Sequence, residues 1–260
     1  MTLGSAAWQR KSGPSYPVRD AVTLDGEEIS FRLTRTHGGE GDQPVRVAVA
    51  DPDVAGELLW RRYPTDDPWR RVVMVREGGD LVSALPHQPP AGKLEYRVRL
   101  WKGTEVVAFP DRAAVTRFKG AVPAAVLAPH ILLMFTAMLL STRAGLGALA
   151  GEDDGGRTAR WTLATMVVGG LILGPAVQKA AFDAWWTGIP FGHDLTDNKT
   201  LIAALAWAWA VFRVRGGRSA RLSVVFASLV TLVIFLVPHS VLGSEIDWES
   251  MPAVPIQADP

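Results

Sequence analysis

Three histidines, His130, His193 and His239, carry the chemistry that this chain could do, with the carboxylates Asp194 and Asp197 close in sequence to the second of them. Neutral imidazole and carboxylate are ligands that zinc, iron, manganese and copper accept without thiolate. The chain has no cysteine, which excludes disulfides, thiolate catalysis and Cys-ligated zinc. The densest stretch is Trp185 to Lys199, WWTGIPFGHDLTDNK, where His193, Asp194 and Asp197 lie beside two tryptophans suited to a membrane interface. No HExxH or comparably tight ligand spacing is present, so any convergence of these groups must come from the elements that hold them.

Those elements read as membrane spans. Uncharged apolar runs at residues 122–141, 161–181 (with Lys179 near one end) and 222–243, and a shorter Ala- and Trp-rich run at 199–213, predict four transmembrane helices within 121–243, the longer ones sufficient for a hydrocarbon core of roughly 30 Å. Arg143, Arg157 and Arg160 follow the first run, and Arg213, Arg215, Arg218 and Arg221 follow the third. The positive-inside rule puts both connections in the cytoplasm and the 185–199 loop outside. Pro129 and Pro238 fall inside the first and fourth predicted helices, each followed by a histidine, and would free the carbonyls of Ala125 and Ile234. At 1.5 Å per residue, His130 would lie about 12 Å and His239 about 6 Å from the outer ends, on the side of His193. Gly170 and Gly174 have the spacing of a close helix seam, with Gln178 one turn on.

This topology leaves three classes of function open. An outer-face divalent metal held by His130, His193, Asp194, Asp197 and His239 would acidify a bound water for hydrolysis. A b-type haem ligated by His130 and His239 would make an electron carrier of the helix bundle. An envelope interaction or scaffold protein would need neither, and Asp197 or Asn198 would then simply cap the third span.

The N-terminal half has a different periodicity. Ile29, Phe31 and Leu33 alternate with polar residues, as do Val45, Val47 and Val49, and further runs follow at 57–62, 70–76, 80–85, 94–101 and 105–109. Period-two patterning with one buried face predicts strands, enough of them over residues 21–118 for an antiparallel β-sandwich. Leu94, Tyr96, Val98 and Leu100 should face inward, and Lys102-Gly103 should close a hairpin. Arg61, Arg62, Arg70, Arg71, Arg97 and Arg99 are read as outer strand positions offset by the domain's carboxylates. Residues 1–20 read as a linker or extended lead-in, and 244–260 as a mobile acidic and Pro-rich tail. With 27 Lys and Arg against 26 Asp and Glu, the chain lacks the strong positive field of a nucleic-acid binder.

In the passage PPAGKLEYRVRLWKGTEVVAF the domain resembles immunoglobulin-like and fibronectin type III modules, which implies adhesion, scaffolding or sensing more often than catalysis. The segments WTGIPFGHDLTDNK and PHSVLGSE resemble those of a group of bacterial polytopic membrane proteins with a β-rich outer domain. That group brings no established activity or ligand. In its pattern a hydrophobic anchor precedes the WQRKSGP region, so an upstream anchor is expected ahead of residue 1, which would also account for an exported domain with no cleavable leader. The expectation is therefore an α+β membrane protein of the bacterial inner membrane: an extracytoplasmic Ig-like β-sandwich, then a four-helix transmembrane bundle. Its expected partners are membrane lipid, a protein bound through the sandwich, and further copies of itself.

Overall fold

Alternation decides the structure of the N-terminal half. The computed structural model, which describes residues 2–152, 155–192, 194–215, 221–238, 246 and 248, buries Ile29, Phe31 and Leu33 and exposes Ser30 and Arg32 between them. The chain divides into two units, Val18–His37 with Gly41–Phe118 and Glu245–Pro260, and Met1–Pro17 with Gly38–Glu40 and Lys119–Ser244. Among the described residues, the strands lie essentially in the first and the helices in the second.

The strands of the β unit are β1 (Val18–Leu24), β2 (Glu27–Leu33), β3 (Thr36–Gly38), β4 (Gln43–Ala48), β5 (Ala55–Arg62), β6 (Arg70–Val73), β7 (Val75–Glu77), β8 (Asp80–Leu85), β9 (Lys93–Lys102) and β10 (Glu105–Lys119). They form a five-stranded sheet in the order β3-β10-β9-β5-β6, a three-stranded sheet β4-β8-β7 and a two-stranded β1-β2 ribbon. Inward residues from all three make one core, in which Leu58, Leu94, Tyr96, Val98 and Leu100 are wholly buried. The expected sandwich-like architecture is present. Asp25 and Gly26 close the β1–β2 hairpin with φ of 50° and 78°, the left-handed pair that a two-residue turn between twisted strands requires. Two boundaries differ from the sequence reading. β1 begins at Val18, inside the stretch read as a lead-in, and β10 runs on past Phe109 to Lys119, because a register shift between Phe109 and Ala114 lets the strand re-pair with β9.

A polar chain crosses this core. The Tyr96 hydroxyl donates to the Thr34 carbonyl at 2.7 Å, Gln43 Nε2 donates to Thr34 Oγ1 at 2.8 Å, and Thr116 Oγ1 donates to Gln43 Oε1 at 2.6 Å. Burial pushes the Tyr96 phenol well above its ordinary range, so it stays protonated and a donor. Tyr96→Phe should lower stability by about 1 kcal/mol in denaturant unfolding, the net value of one such bond. An unchanged midpoint would show that the network contributes nothing.

On the outer faces, Arg61 pairs with Glu95 at 2.5 Å, Arg62 with Asp67 at 2.6 Å and Arg99 with Glu57 at 2.5 Å. Half of the expected arginine surface, Arg61, Arg62 and Arg99, is thus neutralised. The Arg62 guanidinium hydrogen-bonded to Asp67 holds that carboxyl below its usual range. Its folded pKa is depressed, so its contribution to stability is present above the unfolded value of roughly 4 and is lost as pH falls through the lower folded value. Stability measured from pH 6 down to 2 should therefore fall less steeply below pH 4 in Asp67→Asn than in the parent. Identical slopes would remove Asp67 from the acid response.

The helical unit contains α1 (Thr2–Ser12), α2 (Ala124–Ala150), α3 (Gly155–Met166), a π-helical run (Val167–Leu173), α4 (Gly174–Phe182), α5 (Leu195–Arg215) and α6 (Arg221–Leu236). From α3 to α4 the helix is continuous. Two helices, Ala124–Ala150 and Gly156–Phe182, are long and apolar enough to cross a membrane. α6 is apolar but has only 16 residues, a length of about 24 Å. Contrary to the lead-in reading, residues 2–12 are helical. α1 packs on α6 and α2, and Gln9 Nε2 donates to the carbonyls of Phe235 and Val237, tertiary bonds that override weak local propensity. α2 runs nine residues beyond the predicted 141, to Ala150, and stops at Gly151, whose φ of 82° permits a left-handed cap. α6 ends at Leu236, so Pro238 follows the helix and does not kink it, whereas Pro129 lies within α2 as expected.

Neighbouring helices meet through small and hydroxyl side chains. Ser228 Oγ donates to the Ser141 carbonyl at 2.9 Å, and the wholly buried Trp207 donates its indole N–H to Thr231 Oγ1 at 2.9 Å. A methyl on Gly170 would lie 2.5 Å from Thr200 Cγ2, so the glycine is what lets α5 approach the π-helical run.

Candidate functional site

The connection from α4 to α5 is built by the first turn of α5 reaching back. Asp197 Oδ2 accepts from the Thr187 N–H at 2.7 Å, the Gly188 N–H at 3.2 Å and the Thr187 hydroxyl at 3.3 Å. Asn198 Oδ1 accepts from the Ile189 N–H at 2.8 Å. Asp194 Oδ1 accepts from the Thr196 N–H at 2.7 Å, which caps the helix start as an Asp before a helical run does. From the other side, Gln178 Nε2 on α4 donates to Thr187 Oγ1 at 2.7 Å. The backbone closes the rest: the Asp194 N–H donates to the Thr187 carbonyl, and the Phe191 and Gly192 N–H groups to the Gly188 carbonyl. A methyl on Gly188 would lie 2.7 Å from Asn198 Oδ1, so this contact needs glycine.

His130 lies on α2 and faces the π-helical run. Its Nδ1 is 2.8 Å from the Gly169 carbonyl, which also accepts the Gly174 N–H five residues on. A carbonyl only accepts, so Nδ1 carries a proton and donates it. The π turn has a local cause. Pro175 supplies no N–H to the ladder and displaces the carbonyl of Leu171, and a widened turn absorbs the fault.

The predicted site residues therefore fall in different places. Asp194 and Asp197 share the start of α5 and are engaged with backbone donors, and His130 is bonded to a carbonyl on another helix. His193 and His239 lie outside the described residues, as do Glu245 and Asp247. Asp183, in the same region, accepts from Lys179 Nζ at 2.6 Å. Among the described residues no three His, Asp or Glu side chains gather closely enough to hold a metal ion.

One residue that the sequence reading passed over is Lys199. It is buried, and Nζ donates to the carbonyls of Val237 at 2.9 Å and Pro238 at 3.3 Å. With Gln9 it satisfies the end of α6, where a cation meets the negative end of the helix dipole. The available signal was a lysine one turn inside an otherwise apolar helix. Its partners, 38 and 39 residues away, could not be read from spacing.

No protein-family model and no curated protein matches the chain. Among solved structures, the FN1–FN3 domains of chicken CNTN1 align with 14% identity over 40% of this chain and 45% of that one, with a TM-score of 0.24. This chain thus spans less than half of that structure's length. A TM-score of 0.24 does not establish a shared fold, and nothing about this chain's partners follows from it.

Proposed function

We propose that this is an integral protein of the bacterial inner membrane whose helices anchor an extracytoplasmic β-sandwich that recognises a protein partner. One observation carries the anchoring. The most apolar windows of the two long helices have mean hydropathies of 2.0 and 1.4, yet only 17% and 22% of their residues are buried. A soluble core helix buries such a surface; here Leu132, Leu139, Leu149 and Ile172 face outward, joined by Phe212 on α5 and Leu222 on α6. Lipid is the solvent that makes this pattern favourable. The seams between helices use glycine and hydroxyl contacts, which suits association inside a bilayer. α5 and α6 complete a four-span bundle, in which the 24 Å of α6 calls for local thinning of the bilayer.

The proposed orientation is supported by Arg143, Arg157, Arg160, Arg213, Arg215, Arg218 and Arg221, a basic excess that favours the cytoplasm for both connections. The engaged roles of Asp194 and Asp197 favour recognition over metal-assisted hydrolysis, because both carboxylates already serve the backbone. Alkaline carbonate washing of membranes should leave the chain in the pellet, with release only by detergent. Recovery in the supernatant would sink the anchoring. The absence of native cysteine makes the orientation test clean: Glu105→Cys should react with a membrane-impermeant maleimide in spheroplasts, and Arg157→Cys only after lysis. The reverse pattern would invert the topology.

A further inference from the structure

The β unit hides its large apolar side chains except along one run. Trp69, Val72, Val73 and Val75 are 36%, 40%, 70% and 65% exposed, and among the described residues of that unit only Val106 joins them. β6 is the end strand of the five-stranded sheet and β7 the end strand of the three-stranded one. Met74 between them is 4% exposed and donates its N–H to the Gly56 carbonyl at 2.8 Å. A single segment, pinned at its middle, thus borders both sheets.

β6 pairs with β5 along one side, Val72 opposite Leu58 and Arg71 opposite Leu59. Among the described residues its other side has no backbone partner. Natural edges are blunted by charge, proline or a bulge; this four-residue one carries charge in its first half and two exposed valines in its second. Arg70 and Arg71 begin it. Arg70 stacks over Trp60 at 5.1 Å, and the nearby Asp67 is held by Arg62 at 2.6 and 3.1 Å. Among the described residues neither Arg70 nor Arg71 has an ion-pair partner. Exposed Trp and Arg, here beside unpaired backbone, are residue types enriched in binding hot spots.

We propose that β6 is a docking edge for an extended segment of another protein, which adds as a further strand and carries two apolar residues followed by two acidic ones. The inference rests on reading the β unit as the recognition part of the protein. The order comes from antiparallel addition, the usual sense where every pairing in the sheet is already antiparallel. The partner residue opposite Val73 comes first, then those opposite Val72, Arg71 and Arg70. Valines call for apolar neighbours and the two guanidiniums for carboxylates, directly across the ladder where side-chain pairs interact. A second copy of this chain is the weaker occupant, because its β6 would bring two more arginines and no acid.

The test uses the full chain in nanodiscs and fluorescein-labelled heptapeptides read by anisotropy. The sequence Thr-Thr-Val-Val-Glu-Glu-Thr should bind at least about tenfold more tightly than Thr-Thr-Val-Val-Lys-Lys-Thr, since each like-charge juxtaposition is costly. Val73→Lys should weaken the first peptide by about tenfold or more. Arg70→Glu with Arg71→Glu should reverse the preference, and Arg71→Glu alone should narrow it, leaving Trp60 its stacking partner. Amide exchange at Arg71 and Val73, whose N–H groups alternate with those of Val72 and Met74 and so point away from β5, should slow when the acidic peptide is bound. Equal binding of the two peptides would overturn the proposal, as would a preference untouched by these substitutions. Self-association without peptide that Val73→Lys abolishes would assign the edge to a second copy and overturn it too. Carbonate washing reports separately on anchoring, so failure of one reading leaves the other standing.

Discussion

Asp197→Ala should be among the most damaging single substitutions in the helical unit, lowering its stability by about 3 to 5 kcal/mol. One carboxylate oxygen accepts from Thr187 N–H, Gly188 N–H and the Thr187 hydroxyl, and Asp197 is buried. Truncation removes the acceptor and strands two backbone donors in a place that water reaches poorly, so the desolvation of each is added to the lost bonds. Asp197→Asn retains an oxygen and should lose roughly half as much, because bonds to a charged acceptor are about twice as strong as neutral ones. The measurement is thermal unfolding in detergent, paired with limited proteolysis in the 185–192 stretch. Alanine with a parental melting temperature and an uncut loop would show that the backbone bonds hold this connection by themselves.

Trp207→Ala should cost a similar 3 to 5 kcal/mol, approximately the range for emptying a large aromatic site. Trp207 is wholly buried, in a cluster with Ala137, Ala203 and Ala227. Small alanines cannot expand to fill the space. Trp207→Phe separates volume from polarity. It keeps most of the ring and loses the indole bond to Thr231, worth about 0.6 kcal/mol if it has the average value of such side-chain bonds between membrane helices. Alanine and phenylalanine variants that melt together would mean the site collapses without loss, contrary to the packing described.

How much of this was legible beforehand depended on whether the information was local. Period-two alternation is local, and Ile29, Phe31, Leu33, Leu94, Tyr96, Val98 and Leu100 all face inward as their spacing indicates. The Lys102-Gly103 hairpin is local too, and β9 and β10 turn there. Hydropathy found the helices, but their ends depend on partners. The last turn of α6 is set by Pro238 beyond it and by side chains from Gln9 and Lys199, distant in sequence. α1 has little amphipathic pattern of its own and exists through what it touches. The outer-site expectation rested on inferred topology, and ionisable residues in a short loop look alike in sequence whether they bind a ligand or the backbone. Asp194, rather than the Asp197 or Asn198 expected as a cap, caps α5, while Asp197 in its first turn holds the Thr187 and Gly188 N–H groups.

The π-helical run has a consequence for phasing. Each residue of a helix turns its neighbours by about 100°, and a widened turn inserts one residue without lengthening the ladder by a full step. Everything after Leu173 is rotated relative to everything before Val167, and that offset aims Gln178 at Thr187 while Gly169 stays opposite His130. Deleting Leu171 together with Pro175→Ala would remove both the extra residue and the missing donor and let the ladder close as an ordinary helix. Gln178 would then swing away by about 100°, unlatching a loop that the deletion never touches.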